Sequence, residues 1–191
     1  FEGCSSLTSI DLPSSLESIA ENVFTDCFLI KNIDIPSSVT SIGHLSFDEN
    51  CSLVSIKIPS SVKKMGYVDL KNCSTLENVE LPPSVESIDY VTFCNCSLLT
   101  RIIFPFGLQS IKYHAFSGCT SLTSIEIPSS VTFIDTNSCQ DYKLLTSIEI
   151  PSSVTSIEII DCKNCTSLVS AKFPPKVTEF GRLSFSGCSA L

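Results

Sequence analysis

The residues with the chemistry to act are eleven cysteines, two histidines and a large excess of serine in a chain of 191 residues. Clustered Cys and His would suggest a zinc centre, and Ser beside His and an acid would suggest acyl transfer. Their positions favour neither. Cys4, Cys27, Cys73, Cys96, Cys119, Cys165 and Cys188 share one place in a 23-residue repeat, while Cys139 and Cys162 share another. Only Cys51 and Cys94 fall outside these columns. The apparent C-x-x-C at Cys162 and Cys165 is two columns crossing, with no second pair or matching His to close a tetrahedral site. The cysteines therefore read mostly as a reduced, inward ladder of small apolar side chains, with a disulfide between Cys139 and Cys162 as the alternative. His44 and His114 lie in variable turn positions. The serines are the repeat's own turn residues, and the seven glycines form no phosphate-cradling loop. No catalytic, metal-ligating or cofactor-binding residue is assigned, and the chain is not read as an enzyme.

The elements that carry these residues follow from the repeat. Prolines recur every 23 residues at Pro13, Pro36, Pro59, Pro82, Pro105, Pro128, Pro151 and Pro174. Apolar columns keep the same register. One runs from Leu7 through Leu53, Leu99 and Leu145 to Leu191. A second runs from Ile19 through Ile42 and Met65 to Ile157 and Phe180, and a bulky third from Phe1 through Phe24 and Leu70 to Phe185. The unit reads L-x-x-I-x-I-P-S-S-V-x-x-I-x-x-x-x-F-x-x-C-x-x. Its first half, as in Leu122 to Ile127, alternates like a strand with one buried face. Pro128 ends that strand because it cannot donate to a ladder. Val131 to Ile134 forms a second short extended stretch, and Phe116 to Cys119 a tight or 3₁₀ turn. One such coil cannot bury its own apolar face, so coils must stack. The expected domain is a single one over residues 1–191, of about eight repeats and lacking both caps. Its uncapped ends make end-to-end self-association a further expectation.

The units Phe116-Ser-Gly-Cys-Thr-Ser-Leu-Thr-Ser-Ile-Glu-Ile-Pro-Ser-Ser-Val and Phe185-Ser-Gly-Cys-Ser-Ala-Leu resemble the BspA-like, or treponemal, class of leucine-rich repeat. The resemblance implies a mostly β, right-handed curved solenoid. A parallel sheet would line its concave side, with short strands or 3₁₀ turns on the convex side. It also implies a surface-exposed or secreted protein used in adhesion to host or matrix proteins or glycoproteins. The alternatives are a structural spacer in a larger surface protein and an intracellular interaction scaffold.

Composition limits the partners. A net charge of −8 with scattered Lys and Arg argues against nucleic acid. No apolar run approaches the roughly 18 residues of a membrane helix, so this segment is not expected to insert directly. Partner contacts are expected on the outward positions of the concave strands, where Asp34, Lys57, Glu80, Arg101, Ile103 and Glu126 fall. Phe106, in the departure Pro105-Phe106-Gly107, is either an exposed anchor beside Ile103 or a side chain folded back over the bend. Asn50, Asn72, Asn95 and Asn164 each begin an Asn-Cys-Ser/Thr sequon. They are either glycan acceptors in an exported eukaryotic protein or turn residues ahead of the cysteine column.

Overall fold

The computed structural model describes residues 1–66, 70–135, 138–157, 162–177 and 184–191. Phe180, at the end of the second apolar column, lies outside them. Among the described residues the chain winds as a mostly β solenoid without helices, and every pair of strands is parallel. Strands come in two kinds, both dictated by the repeat. The three-residue strands β2 (Asn32–Asp34), β4 (Ser55–Lys57), β5 (Asn78–Glu80), β7 (Arg101–Ile103), β10 (Ser147–Glu149) and β12 (Ser170–Lys172) precede the prolines. Each buries its central residue and exposes its two neighbours, except that Ala171 of β12 is half-buried. The two-residue strands β1 (Ser18–Ile19), β3 (Ser41–Ile42), β6 (Ser87–Ile88), β8 (Ser110–Ile111), β9 (Phe133–Ile134) and β11 (Ser156–Ile157) follow them.

Register is fixed by the 23-residue spacing. Ile33 faces Ile56, Ile56 faces Val79 and Val79 faces Ile102, so each apolar column becomes one continuous line of the core. A one-residue slip would turn that whole line out to solvent. The third column stacks ring on ring: Phe1, Phe24 and Phe47 lie 5.6–5.7 Å apart, and Phe93 and Phe116 lie 5.3 Å apart. Each fully buried Ile, Leu or Phe contributes about 1.5–3 kcal/mol.

Two hydrogen-bond ladders lock the turns. The second serine of each P-S-S element donates to a carbonyl of the preceding coil. Ser38 reaches Leu16 at 2.7 Å, Ser61 reaches Val39 at 2.7 Å and Ser153 reaches Val131 at 2.7 Å. Ser84 bonds Val62 in the same way. The cysteine column does likewise inside the core: Cys27, Cys73, Cys96, Cys119 and Cys165 donate their thiols to carbonyls of the bulky column, at 3.0–3.3 Å. These five are buried, Cys188 is half-buried and Cys4 is exposed, and no disulfide joins any of the eleven cysteines. Burial pushes the Cys73, Cys96 and Cys119 thiols up, away from the reactive thiolate.

The residue before the cysteine column is left-handed in every coil, including those where Asn50 and Tyr142 stand in for cysteine. Gly3, Asp26, Glu49, Asn72, Asn95, Gly118, Asp141, Asn164 and Gly187 have φ between 58° and 83°. That conformation favours Gly, Asn and Asp, which accounts for the Asn-Cys and Gly-Cys pairs in the sequence.

The two ladders of strands are each interrupted, at different heights. The proline-side sheet runs β2-β4-β5-β7, misses Ser124–Glu126, and resumes as β10-β12. Among the described residues, no backbone hydrogen bond joins 123–127 to a neighbouring coil. The opposite sheet pairs β1 with β3, extends to Lys64 by one bridge, and restarts as β6-β8-β9-β11.

Candidate functional site

Every residue expected on the concave face is exposed: Asp34, Lys57, Glu80, Arg101, Ile103, Phe106 and Glu126. The parallel register lines up Asp34, Lys57, Glu80 and Ile103 in one column. Asn32, Ser55, Asn78 and Arg101 form the other. The surface between them is a succession of shallow grooves. Asp34 and Lys57 border the first, Lys57, Glu80, Arg101 and Ile103 the second, and Arg101, Ile103, Phe106 and Glu126 the third. The candidates therefore form a connected strip, and its exposed large apolar side chains, Ile103 and Phe106, lie where β7 meets the unpaired stretch Ser124–Glu126.

Phe106 settles between its two expected positions. Its side chain is 98% exposed, so it does not fold back over the bend. The cause lies in the repeat: the position after the proline is outward in every coil. Ser14, Ser37, Ser60, Pro83, Ser129, Ser152 and Pro175 occupy it elsewhere, all exposed. Phe104, two residues earlier, turns inward and meets Phe116 edge-on at 5.8 Å. Pro105 reverses the alternation between them, so one phenylalanine anchors the coil and the other stands in water. Ile103 beside it is 47% exposed. Apolar area of this kind favours association when a partner covers it.

The same coil also loses a ladder serine. Gly107 stands where Ser84 and Ser130 donate in adjoining coils, and it has no hydroxyl to give. A Cβ there would meet only the Pro83 carbonyl oxygen, at 3.5 Å. The groove beyond Phe106 is further lined by Ser124, Ile127 and Pro128. Sequence reasoning missed these three, because the break in the strand ladder leaves no mark on the apolar columns.

The sequons separate into two kinds. Asn72, Asn95 and Asn164 occupy the left-handed column, and their amides are engaged. Asn95 donates to Asn72 at 2.9 Å, Asn72 to Glu49 at 2.6 Å and Asn164 to Asp141 at 2.8 Å. Gly118 and Gly187 close these short ladders, since a Cβ would come within 2.4 Å and 2.6 Å of the Asn95 and Asn164 side-chain oxygens. Asn50 is different and corrects the expectation of a glycan acceptor. It sits in the cysteine column, wholly buried, and its Nδ2 donates to the Phe24 carbonyl at 2.7 Å. A glycan there would require the coil to open.

His44 and His114 are half-buried in neighbouring columns, with His114 edge-on to Tyr113 at 4.1 Å. Among the described residues, no group of three His, Cys, Asp or Glu side chains is placed to hold a metal ion. Nor is any helix there long and apolar enough to cross a membrane.

Comparison with known proteins agrees with this geometry. The family model described as BspA type leucine rich repeat region matches residues 1–105 and 69–191. No curated protein matches the chain. Among solved structures, the T. pallidum leucine rich repeat protein TpLRR is 27% identical, with a TM-score of 0.73. The match covers 91% of this chain and 82% of that one. A leucine rich cell surface protein from Faecalibacterium prausnitzii is 23% identical, with a TM-score of 0.59 over 92% of this chain and 69% of that one. The pneumococcal vaccine antigen PcpA is 18% identical, with a TM-score of 0.54 over 87% of this chain and 48% of that one.

Proposed function

Since the chain belongs to the BspA-type leucine-rich repeat family, we propose that it is a non-catalytic protein-binding module, secreted or displayed at a cell surface and used in adhesion to host or matrix proteins or glycoproteins. Its contact surface is the concave strip centred on Ile103 and Phe106. One observation carries this reading: a phenylalanine 98% exposed, at a position that every other coil fills with Ser or Pro. A solvent-facing aromatic ring contributes nothing to the core. It joins an exposed isoleucine, a guanidinium and a carboxylate around one groove. Aromatic and Arg side chains are the residue types that most often dominate binding energy at protein interfaces.

The test is binding of the purified protein to host cells and to immobilised matrix proteins, beside an Ile103→Ser/Phe106→Ser variant. Saturable binding weakened at least tenfold by the variant supports the reading, since a good apolar anchor is worth about 2 kcal/mol or more. Saturable binding that the variant leaves unchanged keeps adhesion and removes this site. A folded, monodisperse protein that binds none of these surfaces leaves a spacer, or a scaffold for intracellular partners, as the better description.

A further inference from the structure

The groove at Ile103 has a charge pattern that narrows what fits it. The side chain in register with Ile103 one coil before is Glu80, and Glu126 holds the same place one coil after. Both carboxylates are exposed. Among the described residues neither has an ion-pair partner within 4.0 Å, although Lys57 is the register neighbour of Glu80. The ion pair present is far along the rod, between Lys172 and Glu149 at 3.3 Å. The apolar pair Ile103 and Phe106 is thus bracketed by two carboxylates outside any ion pair, with Arg101 bordering the same grooves.

Resting on the proposed binding role of this surface, we infer that the groove takes an extended peptide segment of a partner protein in which an apolar residue lies between two basic residues three positions apart. The spacing follows from backbone geometry. Glu80 and Glu126 are two coil intervals apart, about 9.6 Å at the usual distance between paired strands, a spacing that the β8-β9 pairing on the opposite wall keeps across the unpaired interval. Held in a polyproline II conformation, the segment advances about 3.1 Å per residue with three residues per turn, so positions i and i+3 lie on one side about 9.3 Å apart and i+1 is turned a third of the way round, toward Phe106. Cations at i and i+3 reach the two carboxylates while the side chain at i+1 covers Ile103 and Phe106. The segment lies along the rod axis, across the coils. The missing ladder between β7 and Ser124–Glu126 leaves the groove open at the point where the apolar side chain enters. Arg101, on the parallel column, faces the segment's carbonyls or an acidic residue on its other side. Exposed charge pairs are weak one by one, so the apolar contact supplies most of the affinity and the charges select the sequence.

The probe is the fluorescein-labelled peptide Gly-Ser-Lys-Leu-Thr-Lys-Ser-Gly, titrated to millimolar concentration at low ionic strength and followed by anisotropy. Its partner replaces both lysines with aspartate, and a third peptide replaces leucine with serine. The intact protein is expected to bind the lysine peptide at least tenfold more tightly than either of the others. Glu80→Lys/Glu126→Lys, at two exposed positions, is expected to invert the order of the lysine and aspartate peptides with an unchanged circular dichroism spectrum. That variant remains acidic overall, so a diffuse attraction of lysine to a negative protein would survive it and the inferred site would not. Equal affinity for the lysine and aspartate peptides, or a preference untouched by the charge reversal, overturns the inference. If either result accompanies host-surface binding that needs Ile103 and Phe106, the binding role stands and only the partner's chemistry is wrong. If no surface and no peptide binds, both fall together.

Discussion

The cysteine column is broken twice, at Asn50 and at Tyr142, and the chain repairs the two breaks in different ways. Asn50 keeps the hydrogen bond that a cysteine would make, giving Nδ2 to the carbonyl of Phe24 as Cys73 gives its thiol to Phe47. The amide brings a second polar atom with it, and Oδ1 is buried with no hydrogen-bond partner. Tyr142 sends its hydroxyl to the Ser138 carbonyl at 2.8 Å, away from the coil before. It is also far larger than cysteine, and the bulky column shrinks beside it from phenylalanine to Cys139 and Cys162. Near Asn50 the core tolerates a polar cost. Around Tyr142 three positions changed together so that volume is kept. The contrast teaches that this interior is strict about volume and more lenient about an unpaired acceptor, as expected where packing approaches that of a crystal.

The largest test of that contrast is Tyr142→Cys alone. It restores the ladder residue but leaves a void beside two small thiols, and a loss of about 3–5 kcal/mol is expected from urea unfolding. Adding Cys139→Phe and Cys162→Phe is expected to recover most of it. A neutral single variant would break the volume argument outright.

Asp48, two residues before Asn50, adds another polar cost in the first region. Burial raises its carboxyl to about 6 against the attraction of Lys71. Between its unfolded pKa and about 6 the folded protein holds the proton more tightly, so stability from this group is greatest below that window and declines as pH rises through it. Asp48→Asn is expected to add about 1–2 kcal/mol at pH 7 and to flatten the rise in melting temperature on going from pH 7 to 5. An unchanged slope would show that Asp48 is solvated.

Asn50→Cys should stabilise by about 1 kcal/mol, because the thiol keeps the donor and removes the orphan oxygen. A lower melting temperature would mean the amide makes an interaction that thiols cannot.

The smallest expected effect is on the outer ladder. Gly107→Ser has room and supplies the missing hydroxyl, for roughly 0.5–1 kcal/mol. Partner binding through Phe106 should be unaffected.

Much of this was legible from spacing alone. Columns 23 residues apart placed the strands that form, the inward Val131 and Ile134, and the turn at Phe116 to Cys119, while the strand expected at Leu122 to Ile127 does not form. Even the odd sequon was visible in principle: Asn50 lies 22 residues before Asn72, one short of the repeat, and so belongs to the buried column. Phe106 was also readable, since the post-proline position carries only Ser or Pro elsewhere. What sequence could not give was the loss of pairing at Ser124–Glu126, whose residues are identical to Ser147–Glu149, which do pair. Ladder hydrogen bonds depend on small tilts of one coil against the next. The absence of an ion pair at Glu80 among the described residues was equally hidden, because register neighbours of opposite charge do not have to touch.

The staggered interruptions of the two strand ladders have a mechanical meaning. Where the proline-side ladder lapses between β7 and β10, the opposite one is continuous through β8, β9 and β11. Where that one lapses between Lys64 and β6, strands β4 and β5 remain paired. The seams are lapped as in brickwork, so tension along the rod passes each gap through hydrogen bonds on the other wall. A solenoid pulled from its ends gains continuity from that arrangement, and here it comes from the placing of two gaps.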